Sequence, residues 1–173
     1  TRSIAVTGVQ TCALPISTEI IKNPDVVHSK KYLDFGRGFY ITTFENQAKK
    51  WAVRKGMRQE KAAIVNVYEL SEEWDDFKVL SFEKENEKWL DFVCACRKGQ
   101  PLNKEYDIII GNVADDDVFK TVDMYFRGLW DKEKVLGELR YYKMNNQICI
   151  VNQETLNRLI TFKRAYEVEN NGR

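Results

Sequence analysis

The sequence predicts an α+β domain. Strand patterns and helix patterns alternate along the chain, but they lack the regular strand–helix–strand spacing of a doubly wound sheet. The 173 residues are 43% hydrophobic and 31% charged, the composition of one ordinary globular domain. A chain of this size buries roughly 70% of the surface that its unfolded form exposes, so it forms a core without disulfide or metal support. A disordered chain and a disulfide-dependent miniprotein are therefore excluded.

The first predicted elements are a strand and a helix. Residues 38–42 are aromatic and β-branched, which is typical of a short strand. A helix follows directly, because residues 42–45 have the Thr-x-x-Glu pattern of a capping box. Ala48, Trp51 and Ala52 then fall on one helical face.

The next three predicted elements are two strands and a helix. Residues 63–70 predict a strand buried on much of both faces, and residues 77–82 are predicted to pair with it. An amphipathic helix is predicted over residues 85–97, because Trp89, Phe92, Val93 and Cys96 repeat at i, i+3, i+4 and i+7.

The second half of the chain continues this alternation. We expect a buried strand at 106–110, helices at 117–126 and 131–142, a strand at 148–151, a short helix at 153–159 and a last strand at 162–167. Gly111 closes the first of these strands, and Gly128 separates the two longer helices. No repeat or low-complexity segment interrupts the pattern.

Charge and hydropathy narrow the classes of partner. The 27 basic and 26 acidic residues leave a net charge of +1, so we expect no general attraction to nucleic acid or to an anionic membrane. The longest apolar runs, such as residues 106–110, are far shorter than the roughly 20 residues that span a bilayer. The 4 cysteines lack the spacing of a disulfide framework, which favours a reducing compartment. These features predict a soluble, cytoplasmic protein.

Residues 1–17 are expected to stand apart from the domain. They show no helix or strand period and no apolar segment typical of a signal peptide. Residues 7–16 resemble, codon by codon, the translation of a sequencing-library adapter, ACT GGA GTT CAG ACG TGT GCT CTT CCG ATC. We therefore expect a non-native segment at 1–17, as in a metagenomic fragment, a single domain at 18–168 and a polar tail at 169–173.

The residue pattern gives little support to a metal site or a catalytic triad. His28 is the only histidine, and Cys94 and Cys96 lie two residues apart on a helix, where their side chains do not share a face. A serine or cysteine nucleophile would need a histidine base, and His28 has no partner nearby in sequence. The three aspartates at 115–117 precede a helix, where carboxylates more often satisfy its first amides than hold a cation.

The stretch from 34 to 42, Asp-Phe-Gly-Arg-Gly-Phe-Tyr-Ile-Thr, is the most informative in the chain. Gly36 and Gly38 allow the backbone to approach a ligand closely, and Tyr40 follows them. Such a surface could stack a flat ring. The same pattern also occurs in a plain turn whose tyrosine belongs to the core, and both interpretations stay open at this point.

Residues 35–42 and the Gln-Ala-Lys-Lys-Trp of residues 47–51 resemble the second core motif of poly- and mono-ADP-ribosyltransferases. That motif reads Phe-Gly-Lys-Gly-Ile-Tyr-Phe-Ala and precedes a helix with a second aromatic residue. Within that superfamily, residues 17–162 resemble the bacterial domain of unknown function 3990 family. The shared motifs are Pro-Asp at 24–25, Asp-Phe-Gly-x-Gly-Phe-Tyr-x-Thr at 34–42, Trp-Leu-x-Phe-Val at 89–93, Tyr-Asp-Ile-x-x-Gly-x-Val-Ala at 106–114 and Gln-Ile at 147–148.

The resemblance implies a fold, a substrate and a reaction. The fold would be an ADP-ribosyltransferase-like split pair of sheets with flanking helices and an NAD cleft between them. NAD would be the substrate, and its nicotinamide would lie between Tyr40 and Trp51. The implied cofactor-binding residues are Gly36, Gly38, Phe39, Tyr40, Thr42 and Trp51, and the implied catalytic residues are Tyr40 and Gln147.

The implied activity is toxin-like or regulatory transfer of ADP-ribose to an unknown macromolecule, with a cognate antitoxin protein as a further partner. Gln147 stands where many ADP-ribosyltransferases carry a catalytic glutamate. An amide can hydrogen-bond a ribose hydroxyl, but it carries no charge and cannot act as a base. Asp115 or Asp116 could supply the charge instead, and Gln147 could orient NAD or only satisfy backbone in a buried strand. A non-catalytic NAD or ADP-ribose binding module, an NAD glycohydrolase and a plain interaction domain therefore stay open as alternatives.

A second departure concerns the His-Gly pair that the family carries on its first strand. Pro15 and Ile16 stand at those positions, just before the Ser-Thr-Glu-Ile of residues 17–20. We do not expect His28, which lies in a later loop, to substitute for the missing histidine. The chain as written is therefore expected to bind NAD weakly or not at all.

Overall fold

In the part of the chain that the structure describes, seven strands and five α-helices make a mixed α+β architecture, as the sequence predicts. The computed structural model describes residues 11–13, 18–114, 116–139 and 145–169. The strands are β1 (Thr11–Ala13), β2 (Phe39–Thr42), β3 (Ile64–Leu70), β4 (Val79–Ser81), β5 (Ile108–Gly111), β6 (Gln147–Ile150) and β7 (Ile160–Glu167). The helices are α1 (Glu45–Gln59), α2 (Glu87–Arg97), α3 (Asp116–Phe126), α4 (Lys132–Leu139) and α5 (Gln153–Leu159), with a 3₁₀ turn at Leu102–Glu105.

The strand order is β4-β5-β6-β2-β1-β3-β7, and only β4 and β5 run parallel. Without β1, the strands would fall into two sheets, one of four strands and one of β3 with β7. The three residues of β1 join them, because Cys12 lies opposite both Thr42 of β2 and Val67 of β3. The sequence predicts no strand in residues 1–17, and for residues 11–13 that expectation is wrong. Any extended backbone can fill this gap, since both flanking strands present unpaired amide and carbonyl groups.

Helices α1 to α4 cover the same face of the sheet. Tyr40 lies opposite Cys149, and Thr42 and Val67 lie at the same register on either side of β1, so the side chains of these four residues share one side of the sheet. Buried residues of α2, α3 and α4 pack against Cys149, whereas Ala48 and Ala52 of α1 pack against Val67. Helix α5 packs on the opposite face with Phe39, Ile148 and Ile150. A gap between α1 and α3 is thereby left over the middle of the sheet.

Two local predictions are corrected. Residues 77–82 were expected to pair with β3, but β4 lies beside β5, with Val79 opposite Ile108, and β3 pairs with β7 instead. Helix α1 begins at Glu45 after Phe44, so Thr42 is not its cap residue. The Thr42 hydroxyl accepts a hydrogen bond from the Phe44 amide at 3.1 Å, which stabilises the turn before the helix.

Helix starts elsewhere follow their side-chain caps. Asn86 accepts from the Trp89 amide at 3.0 Å at the start of α2, and Asn152 accepts from the Thr155 amide at 2.9 Å at the start of α5. Within the described ranges, no helix combines the length and the apolar character that crossing a bilayer requires. The predicted helix at 131–142 is described only as far as Leu139.

Candidate functional site

A cleft of about 1070 Å³ lies between α1 and α3. Its walls come from three parts of the described chain: the segment from Glu19 to Tyr40, one side of α1, and residues of α2, α3 and β6. The volume is at the upper end of the range found for small-molecule and cofactor sites. The cleft is therefore the candidate site.

Five of the residues implied by the family resemblance line this cleft. They are Gly38, Phe39, Tyr40, Trp51 and Gln147, which come from the motif, from α1 and from β6. Gly36 and Thr42 are not among the lining residues. The fold thus brings together most of a set that spans more than a hundred positions of sequence, and it assigns the other two to the support of the site.

The hydroxyl of Tyr40 is used within the motif itself. It donates to the Gly36 carbonyl at 2.6 Å and accepts from the Phe35 amide at 3.1 Å. Burial raises the pKa of Tyr40 well above its ordinary value, and the neighbouring Cys149 and Asp34 act in the same direction. Tyr40 is therefore a neutral phenol that folds the motif into a loop. Its contribution to a ligand would come from the ring.

Both motif glycines are required by backbone geometry. Gly36 has φ +74°, which side-chain-bearing residues rarely adopt, and a Cβ there would come within 2.8 Å of the Asn103 amide group. At Gly38, a Cβ would collide with Cys149 and lie 2.8 Å from the Ile150 carbonyl oxygen. Gly36 turns the loop, and Gly38 lets the backbone lie against β6 at the floor of the cleft.

Thr42 is fully buried and supports the loop before β6. Its hydroxyl donates to the Asn146 side-chain oxygen at 2.8 Å, and the Asn146 side chain in turn donates to the Thr43 hydroxyl at 2.7 Å. The Gln47 side chain also donates to the Asn146 carbonyl at 2.8 Å. These contacts fix the start of β6 and hence the position of the next residue, Gln147.

Gln147 is 4% exposed, and its amide group is held by a buried carboxylate. Its Nε2 donates to Oδ2 of Asp34 at 3.0 Å and to the Asn112 carbonyl at 3.3 Å. Both partners are acceptors, so the NH₂ end of the amide must face them. The side-chain carbonyl oxygen of Gln147 takes no part in these two hydrogen bonds. It is the end of the amide that remains for a ligand in the cleft.

Asp34 is the functional candidate that sequence reasoning passed over. Its Oδ1 accepts from Arg97 at 3.0 Å through Nε and at 2.5 Å through the terminal nitrogen, while Oδ2 also accepts from the Ala114 amide at 3.0 Å. The Asp34 and Arg97 side chains are only 10% and 14% exposed. The signal was an acidic residue opening a glycine motif, but its partners lie far away in sequence and could not be inferred.

A row of cations follows Trp51 along α1. Arg54, Lys55 and Arg58 line the cleft on the same side of the helix, and Lys30 lines it from the loop before β2. Burial lowers the pKa of Lys55, and the positive charge of Lys30 lowers it further. One wall of the cleft is therefore aromatic at one end and positively charged at the other.

Among the residues whose side chains the structure describes, the remaining candidates do not come together as a metal or nucleophile site. His28 pairs with Asp25 at 2.7 Å on the exposed rim. Cys94 and Cys96 are buried free thiols, and burial raises the pKa of Cys96 to about 11. No metal-binding cluster of His, Cys, Asp and Glu occurs among the described residues. Asp115 lies outside the described residues, as do the side chains of Asp116 and Asp117.

Comparison with known proteins gives one match. Residues 16–162 match the model of a family described as a protein of unknown function (DUF3990). No curated protein and no solved structure matches the chain. The matched region includes every described residue that lines the cleft.

Proposed function

The chain belongs to the DUF3990 family, and from this premise we propose that it is a cytoplasmic, NAD-dependent ADP-ribosyltransferase, toxin-like or regulatory, that modifies a macromolecule. The observation that carries the proposal is the meeting of Tyr40, Trp51 and Gln147, from β2, α1 and β6, in one cleft of about 1070 Å³. Two aromatic side chains among its lining residues suit a nicotinamide ring. A cognate antitoxin protein is the further partner that the family resemblance implies.

In the proposed reaction, the bond between nicotinamide and the ribose carbon breaks, and its electron pair leaves with nicotinamide. A nucleophile of the acceptor then forms a bond to that carbon and loses its proton. The transition state is positively charged at the ribose, so it is stabilised by oriented dipoles and negative charge. Gln147 contributes a carbonyl dipole, whose orientation is set by the 3.0 Å hydrogen bond from its amide nitrogen to Asp34.

A non-catalytic NAD or ADP-ribose binding module is the second candidate. It is favoured by the neutral side chain of Gln147 and by the four hydrogen bonds that already occupy the Asp34 carboxylate. Asp123, another acid at the cleft, pairs with Arg127 at 2.9 Å. An NAD glycohydrolase, with water as the acceptor, is the third.

The test compares two versions of the full chain. One has the sequence as given, and the other carries Leu14→Tyr, Pro15→His and Ile16→Gly, which restore the family's first motif. Each is incubated with NAD labelled in its adenylate phosphate and with bacterial lysate. Variants Tyr40→Ala and Gln147→Ala are made in the restored chain. The matched control is Gln100→Ala, at an exposed glutamine outside the cleft.

Each outcome selects one candidate. Label on a macromolecule that the two cleft substitutions abolish and Gln100→Ala preserves supports the transferase. Free ADP-ribose without labelled macromolecule supports the glycohydrolase. A rise in melting temperature with NAD, without release of nicotinamide, supports the binding module. If NAD neither binds to nor is cleaved by the restored chain, all three are wrong.

A further inference from the structure

The cationic wall of the cleft is built on one stripe of α1. Trp51, Arg54, Lys55 and Arg58 are spaced at i, i+3, i+4 and i+7, the spacing that places side chains on one helical face, and all four line the cleft. The seven helical steps from Trp51 to Arg58 span about 10 Å along the helix axis. Lys30 adds a positive charge from the loop before β2.

The acidic residues around the cleft have partners of their own. Asp34 binds Arg97, Asp25 pairs with His28, and Asp123 pairs with Arg127. Glu19 lies 3.7 Å from Lys61. Three of these four acids therefore engage residues outside the α1 stripe at hydrogen-bonding distance, and two of them, Asp34 and Asp123, pair with arginines.

The pKa of Lys55 reflects the positive charge of this wall. Burial lowers its pKa, the charge of Lys30 lowers it further, and the opposing effect of Glu19 is smaller than that of Lys30. Lys30 and Lys55 both line the cleft, and their mutual repulsion is unfavourable because Lys55 is partly desolvated. A bound anion would offset this repulsion.

We propose that Lys30, Lys55 and Arg58 bind the diphosphate of a nucleotide while Trp51 contacts the ring at the other end of the same helical stripe. For NAD this inference rests on the proposed function, since the ring would then be nicotinamide and one ribose would separate it from the diphosphate. Arg58 offers a planar fork of donors that matches phosphate oxygens, and the lysines act as point charges. A compact diphosphate suits a wall inside a cleft on a chain of net charge +1 better than an extended nucleic acid does.

The test uses ligands that lack nicotinamide, so its result does not depend on the reaction. Binding of ADP, of ADP-ribose and of nicotinamide to the full chain is measured by calorimetry, for the parent and for Lys55→Gln/Arg58→Gln. The control, Lys50→Gln/Lys104→Gln, removes the same charge at two exposed positions outside the cleft. Melting temperatures of all three chains are recorded.

The double variant in the cleft is expected to lose at least about tenfold in affinity for ADP and ADP-ribose, because each charged hydrogen bond contributes more than a neutral one. Its binding of nicotinamide and its melting temperature should stay those of the control. Equal ADP affinity in the variant and the parent would overturn the inference. So would tighter binding of a single-stranded oligonucleotide than of ADP, lost in the same variant.

The two proposals fail in different ways. If ADP binds through Lys55 and Arg58 but NAD is neither bound nor cleaved by the restored chain, the diphosphate site stands and the proposed function is wrong. If NAD is cleaved with unchanged KM by the double variant, the proposed function stands and the diphosphate site is wrong. Should that variant not fold, Lys30→Gln, at an exposed position that lines the cleft from the loop before β2, repeats the test with the same expected loss of ADP binding.

Discussion

The side-chain amide of Gln147 donates to the carboxylate of Asp34 at 3.0 Å, although 113 positions separate the two residues in the chain. The contact joins β6 to the loop that precedes β2, and Arg97 holds the other carboxylate oxygen. Gln147 is thus a neutral side chain that is held in place by a neighbouring charge. This arrangement can orient a ligand hydroxyl through the side-chain carbonyl of Gln147. It does so without adding a second carboxylate beside Asp34.

Replacing Asp34 with Asn should destabilise the fold by about 3 kcal/mol, because it leaves the Arg97 guanidinium without its charged partner at a mostly buried position. The free energy of unfolding is measured by denaturant titration. The control is Asp123→Asn, which breaks the Asp123–Arg127 pair, where the Arg127 side chain is 65% exposed. That change should cost less than about 1 kcal/mol. Equal losses in the two variants would contradict the role assigned to Asp34.

Gly38→Ala should destabilise the protein by about 1 to 3 kcal/mol, since its Cβ would meet Cys149 and the backbone of Ile150. Gly137 on α4 is the matched control, because a Cβ there has no neighbour within 4 Å. Gly137→Ala should stabilise the protein by up to about 1 kcal/mol through helix propensity. Thermal and denaturant unfolding of both variants tests this pair. A Gly38→Ala variant as stable as the parent would show that Gly38 does not approach β6 so closely.

Tyr40→Phe and Tyr40→Ala should separate the contribution of the Tyr40 hydroxyl, which stabilises the loop, from that of the ring, which we expect to contact the ligand. Phe keeps the ring but loses the hydrogen bonds to Phe35 and Gly36, so we expect a loss of about 1 to 3 kcal/mol in stability with ligand binding retained. Ala removes the ring as well, and the rise in melting temperature on adding NAD to the restored chain should then disappear. A Phe variant that loses binding as fully as Ala would place the hydroxyl, rather than the ring, at the ligand.

Stability should fall as pH rises above about 8.5. Burial raises the pKa of Cys96 to about 11 and raises that of Cys149 as well, whereas an unfolded thiol ionises near 8.5. The unfolded chain therefore releases these protons first, and the stability that is fully present below pH 8.5 is lost as the pH rises through the folded values. Denaturant titrations at pH 7 and pH 10 measure the loss. A Cys96→Ala variant should show a smaller loss than the parent, and an identical loss would contradict this account.

Local patterns in the sequence identified elements more reliably than their partners. Helix α5 was predicted at its observed bounds, because an apolar period follows the asparagine that caps it. The position of β4 was close, but its pairing was wrong, since neighbours in sequence are only a statistical guide to neighbours in a sheet. The pairing of a strand depends on long-range packing, and nothing in residues 77–82 encodes the partner of β4.

The candidate site shows the same difference between local patterns, which the sequence reveals, and long-range contacts, which it does not. Gly38, Tyr40 and Trp51, which the family resemblance implies at one ligand, line one cleft, because they lie on or beside a single strand and the helix after it. Asp34 was missed, since its role depends on Arg97 and on Gln147, which meet it only after the chain has folded. The resemblance implies Thr42 at the ligand, but Thr42 does not line the cleft, because its buried hydroxyl is bound to Asn146 in the loop before β6.

The three residues of β1 pair with β2 on one side and with β3 on the other, and so join two parts of the sheet. Their partners lie about thirty and about fifty-five positions further along the chain, so β1 is held by contacts of long sequence separation on both sides. Until it docks, β2 and β3 each present an open backbone edge toward the same gap. An extended segment from a second molecule fits that gap as well as the chain's own, which makes this position the point at which strand exchange between copies would begin.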